Sequence, residues 1–158
     1  MQTDGNTFNA PFPSWAKIHS PVGAIALRMT ARILTTMPPD PSPVAVVQRQ
    51  LDAYNARDVE ALVAIYADDA RLYEHPDKLV AQGTAALRAR FSQRFAEPNL
   101  HAALLNRIVS GNRVIDHERV TRTFPEGPGE IELVMIYEVV DGRIAQAWSI
   151  IGPRKLAT

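Results

Sequence analysis

The chain has 158 residues, of which 46% are hydrophobic and 22% are charged, a composition typical of one globular domain. Lysine plus arginine equals aspartate plus glutamate at 17 each, which argues against nucleic acid as a partner, since nucleic-acid binders carry a basic excess or stripe. The absence of cysteine excludes disulfides and thiolate catalysis and fits a cytoplasmic protein. No run approaches the roughly 20 apolar residues of a membrane span, so no membrane partner is predicted.

Residues 1–42 are predicted to form a proline-rich, loosely ordered leader, and residues 43–158 a single domain. Seven of the twelve prolines lie within residues 1–43, and no hydrophobic period is sustained there. The one apolar stretch, residues 22–37, is interrupted by Arg28 and Arg32. That interruption is not the pattern of a secretory signal, which places its positive charge before an unbroken apolar core.

Three helices are predicted at the start of the domain. The first spans about residues 43–55, because Ser42 suits the N-cap and proline suits the first helical position. The second begins after Asp58 and carries a buried stripe that includes Tyr66. The third opens at Gly83, and its buried side chains recur at helical spacing: Leu87, Phe91 and Phe95.

The remaining segments are predicted to be β-strands. One strand ends at Glu74, just before Pro76, which has no N–H for a strand ladder. A short extended segment covers residues 78–82. Two hairpins follow, residues 100–124 with a tight turn at Gly111-Asn112 and residues 131–151 with a tight turn at Asp141-Gly142. Residues 125–129 are predicted to form the turn between them. Early helices followed by a four-strand antiparallel run predict an α+β protein.

The first hairpin also predicts which polar side chains share a face. Counting outward from its turn, Arg107 meets Asp116 and His101 meets Arg122. His117 then lies on the opposite face of the sheet, where its neighbours are more apolar.

The segment Asp58–Ala70, DVEALVAIYADDA, resembles the same region of the nuclear-transport-factor-2-like superfamily, in particular its SnoaL-like and ketosteroid-isomerase-like branches. Residues 141–144, followed by Trp148, are similar to the closing hairpin of that group. The resemblance covers about residues 43–153. It implies a cone-shaped, curved antiparallel sheet wrapped around three N-terminal helices, also called cystatin-like. This fold hosts isomerases, cyclases, hydrolases and binding modules, so it does not by itself define the chemistry.

The resemblance also relates individual residues to known roles. Glu74 falls where ketosteroid isomerases keep their catalytic aspartate, and Gln50 falls where they keep the tyrosine of the oxyanion hole. The second oxyanion donor of that family falls near Ile131 and is absent or shifted here. Tyr54, one helical turn after Gln50 on the same face, offers a phenol in place of the tyrosine that is missing at Gln50.

Glu74 and His117 are the predicted catalytic residues. An apolar pocket would raise the pKa of the Glu74 carboxyl group, which suits a general base or acid. The alternative is a strand-end carboxylate that pairs with an arginine or faces water. For His117 the alternative to a catalytic partner is a hydrogen-bonded histidine of the core or of an interface.

Aromatic and polar side chains are predicted to bind the substrate. The aromatic members supply the wall of the pocket. The His101–Arg122 pair either binds an anionic group or belongs to a charge network with Asp116 and Glu118. The four histidines are scattered and lack the spacing of a zinc helix, so neither a metal nor another cofactor is predicted. The six predicted substrate-binding residues are Gln50, Tyr54, His101, Arg122, Tyr137 and Trp148.

The sequence therefore predicts a small, cofactor-independent enzyme that performs general acid/base chemistry on a small apolar carbonyl compound in the cone pocket. The reaction is a steroid-isomerase-like isomerisation or enolisation. The alternative is a non-catalytic, hydrophobic-ligand-binding module of the same fold. A homodimer through the sheet face is also predicted, because Val134 and Ile136 make the last hairpin apolar on the side opposite Leu133 and Met135.

Overall fold

The structure, a computed structural model, describes residues 38–158. Within this range three helices accompany six strands, and no helix is long and apolar enough to cross a membrane. The predicted leader, residues 1–42, lies outside the described residues except for residues 38–42. The elements are α1 (Pro43–Ala56), α2 (Val59–Ile65), β1 (Tyr66–Glu74), β2 (Lys78–Gln82), α3 (Gly83–Phe95), β3 (His101–Ser110), β4 (Arg113–Phe124), β5 (Gly127–Val140) and β6 (Arg143–Leu156).

Side-chain caps begin the first two helices, as predicted. The Ser42 hydroxyl accepts a hydrogen bond from the Ala45 N–H at 3.4 Å, and the Asp58 carboxylate accepts one from the Ala61 N–H at 2.9 Å. Each bond satisfies a first-turn N–H that has no partner inside the helix. Helix α2 is shorter than predicted, because the backbone of Tyr66 is extended and begins β1.

The six strands form one curved, unclosed sheet in the order β2-β1-β6-β5-β4-β3. The predicted α+β cone fold is therefore confirmed. Both hairpins turn where predicted, with left-handed backbone at Gly111, Asp141 and Gly142. One pairing was not predicted: β1 runs parallel to β6, and such strands are joined by long connections that no local pattern identifies.

Strands β5 and β6 extend beyond their predicted ends. The prolines and glycines of residues 125–129 indicated a longer turn, but β5 already begins at Gly127. A Cβ atom added at Gly129 would lie 2.5 Å from the Lys155 carbonyl oxygen. Gly129 is therefore in a strand that approaches its neighbour too closely for a side chain.

A β-bulge in β3 corrects part of the predicted register. Pairing from residue 106 to the turn is as predicted, but the register shifts at Leu105. Beyond that shift His101 pairs with Thr121 and not with Arg122. One extra residue reverses the face to which later side chains belong, and His101 is accordingly exposed.

The core lies between the helices and the concave face of the sheet. Alternate residues of β4 belong to this face, and Val114, Asp116, Glu118 and Val120 are each no more than 5% exposed. Two neighbouring carboxylates are thus buried within an apolar core, which is costly unless each has a compensating partner or a function. The helix α3 side chains predicted to be buried are found in this core: Leu87, Phe91 and Phe95.

Candidate active site

The concave face of the sheet and helices α1 and α3 enclose a cavity of about 140 Å³. Its wall is mostly apolar and includes Val120, Ile131, Leu133 and Met135. Among the described residues that line it, Glu118 is the only carboxylic acid. No group of histidine, aspartate and glutamate side chains in residues 38–158 could hold a metal ion.

Glu118 is a buried carboxyl group in the wall of this cavity, with 5% of the residue exposed. Burial, reinforced by the neighbouring Asp116 carboxylate, raises the pKa of Glu118 to about 7, while Arg107 opposes the shift. The Oε1 atom of Glu118 has no hydrogen-bond partner among the described residues. A buried polar atom without a partner calls for an explanation. Contact with a molecule bound in the cavity supplies one.

Asp116, two residues earlier on the same face, is fully occupied by other contacts. Arg107 donates two hydrogen bonds to its carboxylate, from Nε and Nη2, each at 2.7 Å. The third donor of the guanidinium, Nη1, binds the Gln48 side-chain oxygen at 2.8 Å. This bidentate pairing is the arrangement in which an arginine and a carboxylate form their strongest hydrogen bonds. The charge of Asp116 is thus compensated outside the cavity wall, which leaves Glu118 as the acid that faces the cavity.

Tyr54, Tyr66 and Tyr137 are three of the four tyrosines that line the cavity together with Glu118. The Tyr137 hydroxyl donates to the Gln50 side-chain oxygen at 3.1 Å. Burial raises the pKa of Tyr66 and Tyr137, although a hydrogen bond with Gln50 opposes the shift at Tyr66. Burial also raises the pKa of Tyr54 to about 12. All three phenols therefore keep their protons at neutral pH and can act as hydrogen-bond donors.

Tyr54 is held in place by aromatic contacts with helix α3. Its ring meets Phe91 and Phe95 edge to face, with centroid separations of 6.3 and 5.4 Å. Such contacts are favourable because the positive ring edge meets the negative ring face. They orient the phenol toward the cavity that Tyr54 lines.

The structure separates the predicted site residues into two groups. Half of the eight line the cavity: Gln50, Tyr54, Arg122 and Tyr137. The others do not line it: Glu74, His101, His117 and Trp148.

Glu74 has the predicted strand parity but lies at the rim of the sheet. Its partner across to β6 is Ser149, which does line the cavity. The Glu74 side chain is nevertheless 46% exposed, and its carboxylate lies 3.5 Å from Lys78 Nζ. The predicted apolar environment is therefore wrong, because Glu74 is the last residue of β1 and its side chain is reached by water. The alternative reading, a strand-end carboxylate in an ion pair, describes this residue.

His117 and Trp148 lie on the outer face of the sheet. The His117 side chain is 43% exposed, and its Nε2 is 3.4 Å from a Glu132 carboxylate oxygen. Trp148 stacks on Tyr73 with 5.6 Å between ring centroids. His117 was expected to lie on the face of the sheet where the neighbouring side chains are more apolar. His117 does have apolar neighbours, Val134 and Ile150. They lie on the outer face and do not place His117 in the cavity, because the face that carries Asp116 is the one turned toward the core.

Glu118 is the site residue that the sequence analysis did not single out. Because Arg107 and Arg122 fall on the same face of β3 and β4, the sequence indicates that Glu118 belongs to a charge network. Val114 and Val120 flank the two carboxylates on that face and are the signal that could have identified it as buried. Tyr66 was also missed as a site residue, because its helical spacing placed it in α2.

Three helices on the concave face of an unclosed six-stranded sheet, with a cavity between them, define the nuclear-transport-factor-2-like class. Three solved structures share this fold, and at their levels of identity the likeness concerns the fold alone. An uncharacterised cystatin-fold protein from Novosphingobium aromaticivorans is 24% identical, with a TM-score of 0.64, over 69% of this chain and 97% of that one. An NTF2-like protein from Mesorhizobium loti is 23% identical, with a TM-score of 0.61, over 74% and 98%. A protein with a ketosteroid-isomerase-like fold from Catenulispora acidiphila is 14% identical, with a TM-score of 0.59, over 66% and 82%.

The family within this class follows from the sequence. Residues 47–147 match the SnoaL-like domain, and since this match spans more than half of the chain, the protein belongs to the SnoaL-like family. The predicted superfamily and branch are thereby confirmed. No curated protein matches the chain, so its chemistry has to be argued from its own site.

Proposed function

We propose that the protein is a small enzyme in which Glu118 moves a proton on an apolar carbonyl compound bound in the cavity. One observation carries the proposal: Glu118 is a buried acid in the cavity wall with an oxygen that no described residue occupies. Its pKa of about 7 leaves it roughly half ionised at neutral pH, where a general base or acid is most effective. Glu118 takes a proton from the carbon next to the carbonyl and returns it to the same or a conjugated carbon.

Loss of that proton places negative charge on the carbonyl oxygen, which requires a hydrogen-bond donor. Tyr54 is the proposed donor, because it lines the cavity and burial keeps its phenol protonated. The Tyr137 hydroxyl is already committed to Gln50. His117 has no role in this mechanism, because it lies on the outer face of the sheet.

The cavity limits the size of the substrate. Its volume of about 140 Å³ is close to that of an apolar cavity that binds benzene, about 150 Å³. The apolar wall formed by Val120, Leu133 and Met135 would contact the hydrocarbon part of a single-ring ketone and leave the carbonyl for the polar groups.

The proposal is tested with a single-ring β,γ-unsaturated ketone, whose conjugated isomer absorbs ultraviolet light. The protein should form that isomer and, in deuterated water, should exchange the protons next to the carbonyl of the saturated ketone. Mass spectrometry measures this exchange. Binding of both ketones with neither isomerisation nor exchange would contradict the proposal.

A non-catalytic, hydrophobic-ligand-binding module is the second candidate. The predominantly apolar wall of the cavity favours it, since apolar ligands bind to such surfaces without any chemical step. In that case the raised pKa of Glu118 is only a consequence of its burial. Thermal stabilisation by the ketones in the absence of exchange is the result that this candidate predicts.

A further inference from the structure

Three arginines line the cavity together with the groups described above. Arg90 and Arg94 come from helix α3, and Arg122 comes from β4. Glu97 binds Arg122 through both of its carboxylate oxygens, at 3.1 and 2.5 Å, and lies 3.7 Å from Arg94 Nε. No acidic side chain within residues 38–158 forms an ion pair with Arg90. Among the described residues, Glu97 is thus the one carboxylate that pairs with these guanidinium groups, and the hydrogen bonds it accepts from them come from Arg122.

This excess of positive charge is partly shielded from water. The side chains of Arg94 and Arg122 are 26% and 23% exposed. Burial lowers the pKa of Arg94, and the positive charge of Arg122 lowers it further. Like charges in a partly buried site repel one another, and a bound anion would relieve that repulsion.

The geometry points to a substrate that carries a carboxylate, which Arg94, with Arg90 one helical turn earlier on α3, binds beside the Arg122–Glu97 pair. The apolar body of the molecule extends toward Glu118. The site of the reacting carbon rests on the proposed function, whereas the anion site rests on the arginines alone. Arginine suits this task, because its planar fork of donors matches the two oxygens of a carboxylate.

Strand β4 sets the distance between the two ends of such a substrate. Glu118 and Arg122 lie four residues apart on one face, so their Cα atoms are roughly 13 Å apart at about 3.3 Å per residue. Val120 lies between them, and Leu133 is the cross-strand partner of Glu118. Both side chains line the cavity and would contact the hydrocarbon spacer. The substrate class is therefore a keto acid whose carbonyl and carboxylate are separated by a short apolar segment.

Octanoate and octanol, which differ only in their head groups, test this inference. Isothermal titration calorimetry at low ionic strength and about pH 8 should show at least roughly tenfold tighter binding of octanoate, the equivalent of about 1.4 kcal/mol. Arg94→Gln should remove most of this preference and leave octanol binding unchanged. Arg88→Gln is the matched control, because Arg88 lies on the same helix, pairs with Glu60 and does not line the cavity.

Arg94 also lies in the last turn of α3, where a positive charge stabilises the helix end. A thermal melt of Arg94→Gln is therefore recorded, and Arg90→Gln, at an exposed position, replaces it if the first variant unfolds. Equal affinity of the wild-type protein for the two probes would overturn the inference, as would an equal loss in the Arg88→Gln control. Glu118→Gln separates the two proposals, because it should abolish proton exchange while the preference for octanoate persists.

Discussion

The same types of side chain have different environments on the concave face of the sheet and on its outer face. On the concave face, Asp116 is buried in an ion pair, and Glu118 has a carboxyl oxygen that no described residue occupies. On the rim, Glu74 lies in a half-exposed ion pair with Lys78, and on the outer face the half-exposed His117 lies 3.4 Å from a Glu132 carboxylate oxygen. Burial raises the pKa of Glu118 to about 7, whereas the side chains of Glu74 and His117 remain in contact with water. The location of a carboxylate in the sheet, more than its residue type, decides whether it is fit for catalysis.

The largest expected difference between the two faces is in turnover. Glu118→Gln keeps the shape of the side chain and removes the base, so the isomerisation rate should fall by roughly 10²–10⁴-fold. Glu74→Gln is the matched control and should change the rate by less than about twofold, since Glu74 lies in a surface ion pair. Steady-state rates of both variants with the unsaturated ketone provide the measurement. A large loss in Glu74→Gln with an active Glu118→Gln would reverse the assignment.

The next comparison concerns stability and uses one ion pair from each location. Arg107→Ala leaves the buried Asp116 carboxylate without its partner and should lower the free energy of unfolding by about 3–5 kcal/mol. Lys78→Ala breaks the exposed pair with Glu74 and should cost no more than about 1 kcal/mol. Urea denaturation of the two variants measures both values. Similar losses would show that the two faces do not differ as described.

The pH dependence of stability tests the burial of Glu118 itself. The folded state keeps the Glu118 proton up to a pKa of about 7, whereas the unfolded chain releases it near about 4.3. Between these values the folded state binds more protons, so stability relative to Glu118→Gln should fall as the pH rises. The penalty should reach roughly 4 kcal/mol above about pH 7, at about 1.4 kcal/mol per pKa unit. Urea denaturation of both proteins at about pH 5 and about pH 8 measures it, and an unchanged difference would refute it.

The outer face leads to the smallest expected effect. The homodimer remains a prediction, which we propose to test at an apolar patch that includes Ile108, exposed by 54%, and Ile150, exposed by 39%. Ile108→Lys should weaken self-association by about tenfold or more, since burying a charge in an apolar interface is unfavourable. Leu79→Lys, at an exposed apolar position on the edge strand β2, should leave it unchanged. Sedimentation velocity at micromolar concentration is the measurement, and a monomeric wild-type protein would contradict the prediction.

The parts of the fold that were predictable depend on local physical chemistry. Ser42 and Asp58 cap helices because their side-chain oxygens accept hydrogen bonds from N–H groups of the first turn. The two hairpin dipeptides favour a left-handed backbone conformation. The bulge at Leu105 and the parallel pairing of β1 with β6 depend on contacts between distant segments. No local pattern encodes such contacts, so these two features were missed.

The candidate site shows the same division. Gln50 and Tyr54 line the cavity because they share a face of helix α1, which helical spacing predicts. Choosing between Glu74 and Glu118 required two further facts: that the end of β1 lies at the rim of the sheet, and which face of β4 is concave. Strand alternation places a residue on one of two faces but does not say which of them the helices will cover.

The central claim is that Glu118 is held in the cavity as a proton carrier near neutral pH. NMR of the glutamate side-chain carboxyl carbons during a pH titration tests it without any substrate, and the signal missing from Glu118→Gln gives the assignment. We predict that this signal titrates at about pH 7. Titration near about pH 4.3, the ordinary value for glutamate, would contradict the claim.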